Sequence, residues 1–86
     1  MEAKQWTVQI YITEEGDDTS ARALLTTKDD THLTGIGHAR RNPVDQSVPE
    51  IGDELAVARA LADLAERLRT VTAEDIAQVA AGPTSW

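Results

Sequence analysis

Residues 33–43 read LTGIGHARRNP. Leu33, Gly35, Gly37 and Ala39 share one parity, opposed by His32, Thr34, Ile36, His38 and Arg40. Alternate residues of a strand face opposite sides, so one face of this strand carries almost no side-chain volume. Such a face suits the close approach of another backbone or of a phosphate. The phosphate reading fails on context. A dinucleotide fingerprint needs three glycines leading directly from a strand into a helix. Here HARRNP follows instead, and no GK[ST] is present. The glycines are therefore expected to give clearance to a helix crossing the sheet, with bulky helix side chains filling the space above them.

Working outward, the residues before this strand also alternate. In WTVQIYIT (6–13), Trp6, Val8, Ile10 and Ile12 form a strongly apolar face against Thr7, Gln9, Tyr11 and Thr13, the pattern of a half-buried strand. EEGDD (14–18) reads as a reversal. TSARALLTT (19–27) then sets Ala21, Ala23 and Leu25 against Arg22, Leu24 and Thr26, and KDD (28–30) makes a second turn. Three strands joined by short polar turns predict an antiparallel meander.

After the opening stretch, RNPVDQSVPE (41–50) contains two prolines and is expected to be an irregular connection. Ser47 and Glu50 have capping-box spacing, with Gly52 or Asp53 as alternative caps. From Ile51 the period becomes helical. Val57, Leu61, Leu64 and Leu68 form a stripe widened by Ile51, Leu55, Ala58, Ala62 and Ala65, while Arg59, Asp63, Glu66 and Arg67 oppose it. Thr72 with Asp75, flanked by Val71 and Ile76, predicts the start of a second, shorter helix that Gly82 and Pro83 terminate. Trp86 would follow in a short tail. The expected fold is α+β: a three-stranded antiparallel meander packed on one face by a long helix and a short C-terminal helix (β-β-β-α-α), in a single domain over residues 1–86.

Composition narrows the function. Fifteen Asp and Glu against eight Lys and Arg give a net charge of −7, a field that repels nucleic acid and anionic membranes. With no cysteine, neither disulfides nor thiolate metal sites are available. The start MEAKQWTVQI is unlike a secretory signal, and charges interrupt the longest apolar run, so a cytoplasmic chain is expected. His32 and His38, six residues apart on one strand, lie about 20 Å apart, too far to share a metal. The carboxylates cluster in turns and at the helix start, and no nucleophile has a base beside it. No catalytic residue, metal site or cofactor is expected.

Two groups of residues invite a partner. On the sheet face away from the helices, Tyr11, Leu24 and Ile36, with His38 beside them, would form a modest patch for a protein partner or a second copy. Arg22, Arg40 and Arg41, again with His38, would form a local contact for an anion. The competing reading of Arg40 is structural, an internal tie to Asp53 or Glu54 at the nearby helix start.

GIGHARRNP followed by EIGDELAVARALADLAERL resembles the actinobacterial family of small proteins known as domain of unknown function 1876. The likeness runs from about Trp6 to Val79, on Gly35, Gly37, Ala39, Arg40, Pro43, Gly52, Asp53, Glu54, Leu55, Ala56 and the ARALADLA run. It implies a compact α+β domain whose meander and helix are similar to part of the double-stranded-RNA-binding fold. It implies no activity, cofactor or catalytic residue. RNA-binding domains of that kind place basic residues at the start of the last helix; PEIGDELA here carries three acids. The first expectation is a non-enzymatic domain acting by protein–protein or self-association. Weak nucleic-acid or anion binding is the second reading and an unrecognised enzyme the third.

Overall fold

The computed structural model describes residues 1–79. Three strands, β1 (Thr7–Glu15), β2 (Asp18–Thr26) and β3 (His32–Arg40), are followed by one helix, α1 (Pro49–Val79). The sheet is fully antiparallel in the order β1-β2-β3. The α+β architecture and the meander are as expected from the alternation.

The turns follow from local chemistry. Glu15 pairs with Asp18, leaving Gly16 and Asp17 as a two-residue hairpin loop. Gly16 has φ +60° and Asp17 has no positive φ, the arrangement in which glycine leads a type II′ turn. The β2–β3 turn instead places Asp30 at φ 58°, a left-handed position that aspartate tolerates better than most residues. Its ends are tied by the Asp30 N–H to the Thr27 carbonyl and the Thr27 N–H to the Thr31 carbonyl, both 3.1 Å.

Register turns the alternation into a graded surface. The rows facing the helix are Ile12–Ala21–Gly37, Ile10–Ala23–Gly35 and Val8–Leu25–Leu33. In the first two, side-chain volume falls from isoleucine to alanine to glycine across the sheet. The helix settles over the low side, on β3 and β2. A Cβ added at Gly35 would run into the Ala60 carbonyl oxygen, the Leu64 nitrogen and, at 2.7 Å, the Leu64 Cα. One at Gly37 would meet the Ala56 carbonyl oxygen, the Ala60 nitrogen and, at 2.9 Å, the Arg59 carbonyl carbon. The expected clearance is therefore present, and it is backbone against backbone.

That closeness corrects the expected helix orientation. The buried helix residues are Ala56, Ala60 and Leu64, so of the expected stripe only Leu64 faces the sheet, and the two alanines beside it take the rest of the contact with the glycines. Val57 packs at the margin of the core. Leu61 and Leu68 are exposed, as are Ile51 and Leu55. The core is small: Ala21, Ala23, Leu25, Ala39, Ala56, Ala60 and Leu64.

The expected second helix is not separate. The helix of 31 residues runs through Thr72 to Val79. The Thr72 hydroxyl donates to the Leu68 carbonyl at 2.8 Å instead of capping a new start. A threonine inside a helix satisfies its hydroxyl in this way, so a residue that resembles a cap is absorbed by the helix. Gly82, Pro83 and Trp86 lie outside the described residues. The helix start falls between the expected caps, after Ser47 and before Gly52. Pro49 is the first helical residue and Val48 precedes it, with the Ile51 N–H bonded to the Val48 carbonyl at 3.0 Å. A proline in the first turn loses no bond, because that N–H has no intrahelical partner. Neither Ser47 nor Gly52 nor Asp53 occupies the cap position. Among the described residues no helix is long and apolar enough to cross a membrane.

Candidate interaction surface

The two edges of the sheet are treated differently. On β3 the outward groups belong to even-numbered residues. The Ile36 N–H donates to Asp63 Oδ2 at 2.9 Å, and Arg59 Nη1 donates to the His38 carbonyl at 2.7 Å. Asp63 is oriented in turn by Arg67 Nε at 3.0 Å. Its carboxyl is held below the usual carboxylate range by the Ile36 N–H and then by Arg67. Arg59, Asp63 and Arg67 follow one another at four-residue steps, so one flank of the helix covers the middle of this edge, at Ile36 and His38.

The β1 edge has no such cover. The odd residues of β2 bond toward β3, as the next pair beyond the ladder shows: the Arg41 N–H donates to the Asp17 carbonyl at 2.9 Å. The even residues of β2 therefore bond toward β1, and their register partners there are odd. The N–H and C=O groups of Val8, Ile10, Ile12 and Glu14 are left pointing away from the sheet. These residues also bear the apolar inner row. That row was expected in the core. Instead, Trp6, Val8, Ile10 and Ile12 retain between 39% and 51% exposure, because the helix leans toward the glycine side. Open backbone and open apolar surface thus coincide on one strand.

At its upper end this row meets an acidic pair. Glu14 is raised above its ordinary carboxylate value by the hydrogen bond its protonated form donates to Asp53, by the charge of Asp53 and by desolvation. At its lower end Trp6 joins Lys4, Leu25, Leu33, Leu68 and Val71 around a shallow depression. A cleft of about 380 Å³ lies between the β3–α1 connection and the helix start, lined among others by Arg41, Ser47, Val48, Ile51 and Leu55.

The sequence-derived residues are partly assembled. Tyr11, Arg22 and Ile36 occupy one cross-strand row of the outer face, with the Arg22 guanidinium 4.8 Å from the centre of the Tyr11 ring. Tyr11 also donates to Gln9 Oε1 at 3.0 Å. Leu24 belongs to the next row on one side and His38 to the next row on the other. Tyr11 and Ile36 are exposed, whereas Leu24 is half-buried.

The three arginines do not converge. Arg22 lies on Tyr11. Arg40 reaches Asp18 at 3.6 Å, so the expected tie to Asp53 or Glu54 is not made. Cross-strand register decides this, since Asp18 is directly opposite Arg40. The tie in this region belongs to Arg41. Its guanidinium contacts Asp17 Oδ1 and the Asp45 carbonyl, each at 2.5 Å, and the Pro43 carbonyl at 3.3 Å. One charged fork therefore holds the connection against the first hairpin. His32 Nδ1 lies 3.2 Å from the Thr26 hydroxyl. Among the described residues no three potential metal ligands gather.

What sequence reasoning missed is the pairing of Arg59 and Asp63 with a strand edge. Both sit on the polar flank of the helix, and only the lean of the helix over β3 gives them backbone partners.

A three-stranded meander roofed by one helix in backbone contact with a glycine strand defines a class of small α+β domains. A family model described as Rv2632c-like matches residues 4–85, and the chain belongs to that family. Over 80 residues it is 49% identical to the uncharacterized protein Mb1767 of Mycobacterium bovis, covering 93% of this chain and 84% of the relative. It is 44% identical over 69 residues to the uncharacterized protein Rv2632c of Mycobacterium tuberculosis, covering 80% and 73%. The crystal structure of Rv2632c superposes with a TM-score of 0.85 and 38% identity, over 96% of this chain and 98% of that one.

Proposed function

We propose that this chain is a non-enzymatic, cytoplasmic module that works by protein–protein association, and that its working surface is the β1 side. The observation that carries this reading is the coincidence just described: strand β1 leaves an apolar row uncovered beside unpaired backbone groups. Exposed edge strands are templates for pairing, and proteins usually blunt them. Here β3 is blunted by Arg59 and Asp63, and β1 is not. Tyr11, on the outer face of the same strand, extends the surface toward Ile36, Leu24 and His38. A photo-crosslinking residue at Val8 or Ile12, expressed in the native host, is expected to form protein adducts that the same probe at Glu66 does not. Equal or absent adducts at all three positions would refute the reading.

The second reading, an anion or nucleic-acid contact, has one supporting feature: Arg22, His38 and Arg40 share the outer face. Arg41 is committed to Asp17 and the connection, and the helix start carries Glu50, Asp53 and Glu54. The likeness to part of the double-stranded-RNA-binding fold adds no phosphate-binding residues to this set. A gel-shift titration at low salt tests it; binding that weakens steeply with salt would favour it over protein association.

A further inference from the structure

We propose that the partner on the β1 edge is a second copy of this chain, joined by antiparallel β1–β1′ pairing into a continuous six-stranded sheet. This rests on the association reading and commits it to one occupant. A two-fold axis perpendicular to the sheet brings an edge strand against itself in antiparallel sense, and an isologous contact then needs only one self-complementary patch. The free N–H and C=O groups of β1 belong to Val8, Ile10, Ile12 and Glu14. They come opposite one another when the axis passes at Ile10, so that Ile10 faces Ile10′ and Val8 faces Ile12′. Val8, Ile10 and Ile12 then each have an apolar cross-strand neighbour about 5 Å away, while Trp6, just before the strand, comes opposite Glu14′. A shift of the axis by one residue to Gln9 also keeps the row apolar, with Val8 facing Ile10′ and Lys4 facing Glu14′, whereas a shift to Tyr11 would set Val8 against Glu14′ within the strand itself.

Charge supports the same arrangement. Among the described residues Lys4, Glu14 and Glu15 join no ion pair. Lys4 precedes the lower end of β1, whereas Glu14 and Glu15 close its upper end. With Ile10 on the axis, Lys4 comes opposite Gly16′, beside Glu15′, at both ends of the interface. A parallel arrangement would instead bring the two acidic ends together. Growth beyond two copies is opposed at the other edge, because the helix occupies the Ile36 N–H and the His38 carbonyl in the middle of β3.

The test is sedimentation of the full chain across a concentration series, with far-UV circular dichroism to confirm folding. The wild-type chain is expected to approach twice its 9.3 kDa mass. Ile10→Pro removes an N–H that the β1–β2 ladder does not use, and proline is tolerated at such edge positions. It is expected to leave the helical spectrum intact and shift the mass to that of one chain. Ile10→Lys is a second route to the same result that keeps the N–H. Lys4→Glu, outside the sheet, is expected to raise the dimer dissociation constant at least about tenfold. A wild-type chain that stays monomeric at millimolar concentration overturns the proposal, while Val8 crosslinks to a different protein would leave the association reading standing. A dimer whose mass is unchanged in both folded Ile10 variants also overturns it, by placing the interface elsewhere.

Discussion

Replacing Gly37 by alanine perturbs the contact on which this fold depends. The added methyl would fall on the Ala56 carbonyl oxygen, the Ala60 nitrogen and the Arg59 carbonyl carbon, all backbone atoms. No rotamer change relieves such a clash, so the helix must lift from the sheet or the strand must bend. Lifting loosens the packing of Ala56, Ala60 and Leu64 against Ala21 and Ala23 together. Overpacking of this kind costs about 1–3 kcal/mol, and the rigid neighbours place Gly37→Ala at or above the upper end. The lower unfolded-state entropy of alanine returns at most about 1 kcal/mol, leaving a net loss of about 2 kcal/mol. For a domain of this size that corresponds to a fall in Tm of about 8–16 °C. Thermal and urea melts followed by circular dichroism measure it. A Gly37→Ala chain within about 0.5 kcal/mol of wild type, the range of inert surface changes, would refute the close-contact account. Gly35→Ala should behave alike.

Three further perturbations probe other parts of the structure. Ala73→Pro distinguishes one helix from two: it would suit the first turn of a new helix capped by Thr72, but inside a continuous helix it costs up to about 3 kcal/mol and visible helicity. Arg41→Ala removes the fork that holds the connection to Asp17; a loss of about 1–3 kcal/mol in a urea melt is expected, and an unchanged midpoint would deny Arg41 that role. Glu14→Gln should raise Tm at neutral pH. The wild-type carboxyl has its folded pKa raised above 4.5, so its contribution is fully present below the unfolded value and is lost as pH rises through the folded one. The glutamine variant should therefore lack that decline, whereas parallel Tm–pH curves for the two chains would contradict the Glu14–Asp53 contact.

Much of this fold can be read from the residues, but its decisive geometry cannot. The alternations at 6–13, 19–27 and 33–39 identify three strands and even their inward faces, since Ala21, Ala23, Leu25 and Ala39 are indeed buried. The rotation of the helix is hidden because its apolar stripe is wide. Val57, Leu61, Leu64 and Leu68 form its centre, and Ile51, Leu55, Ala58, Ala62 and Ala65 widen it. Size suggests that the leucines face inward. Clearance admits only Leu64 of them: a glycine floor lets the helix descend until Ala56 and Ala60 take the contact beside it, while Ile51 is left 60% exposed.

The candidate surface was hidden for a related reason. Trp6, Val8, Ile10 and Ile12 have the pattern of a core strand, and alternation alone does not say which part of a sheet a helix covers. Only register reveals the gradient from Ile10 and Ile12 through Ala23 and Ala21 to Gly35 and Gly37 that moves the helix away from β1. Arg41 illustrates a limit of charge patterning. Its anchor, Asp17, is 24 positions distant in the chain and is brought near by the first hairpin.

Amide hydrogen exchange along β1, resolved by residue and repeated over a range of protein concentrations, tests the central claim most directly. Gln9, Tyr11 and Thr13 should be protected at every concentration, because their N–H groups bond within the sheet. Val8, Ile10 and Ile12 should exchange freely when dilute and gain protection as concentration rises. Fast exchange of Val8, Ile10 and Ile12 at all concentrations would contradict an edge that pairs with a second copy.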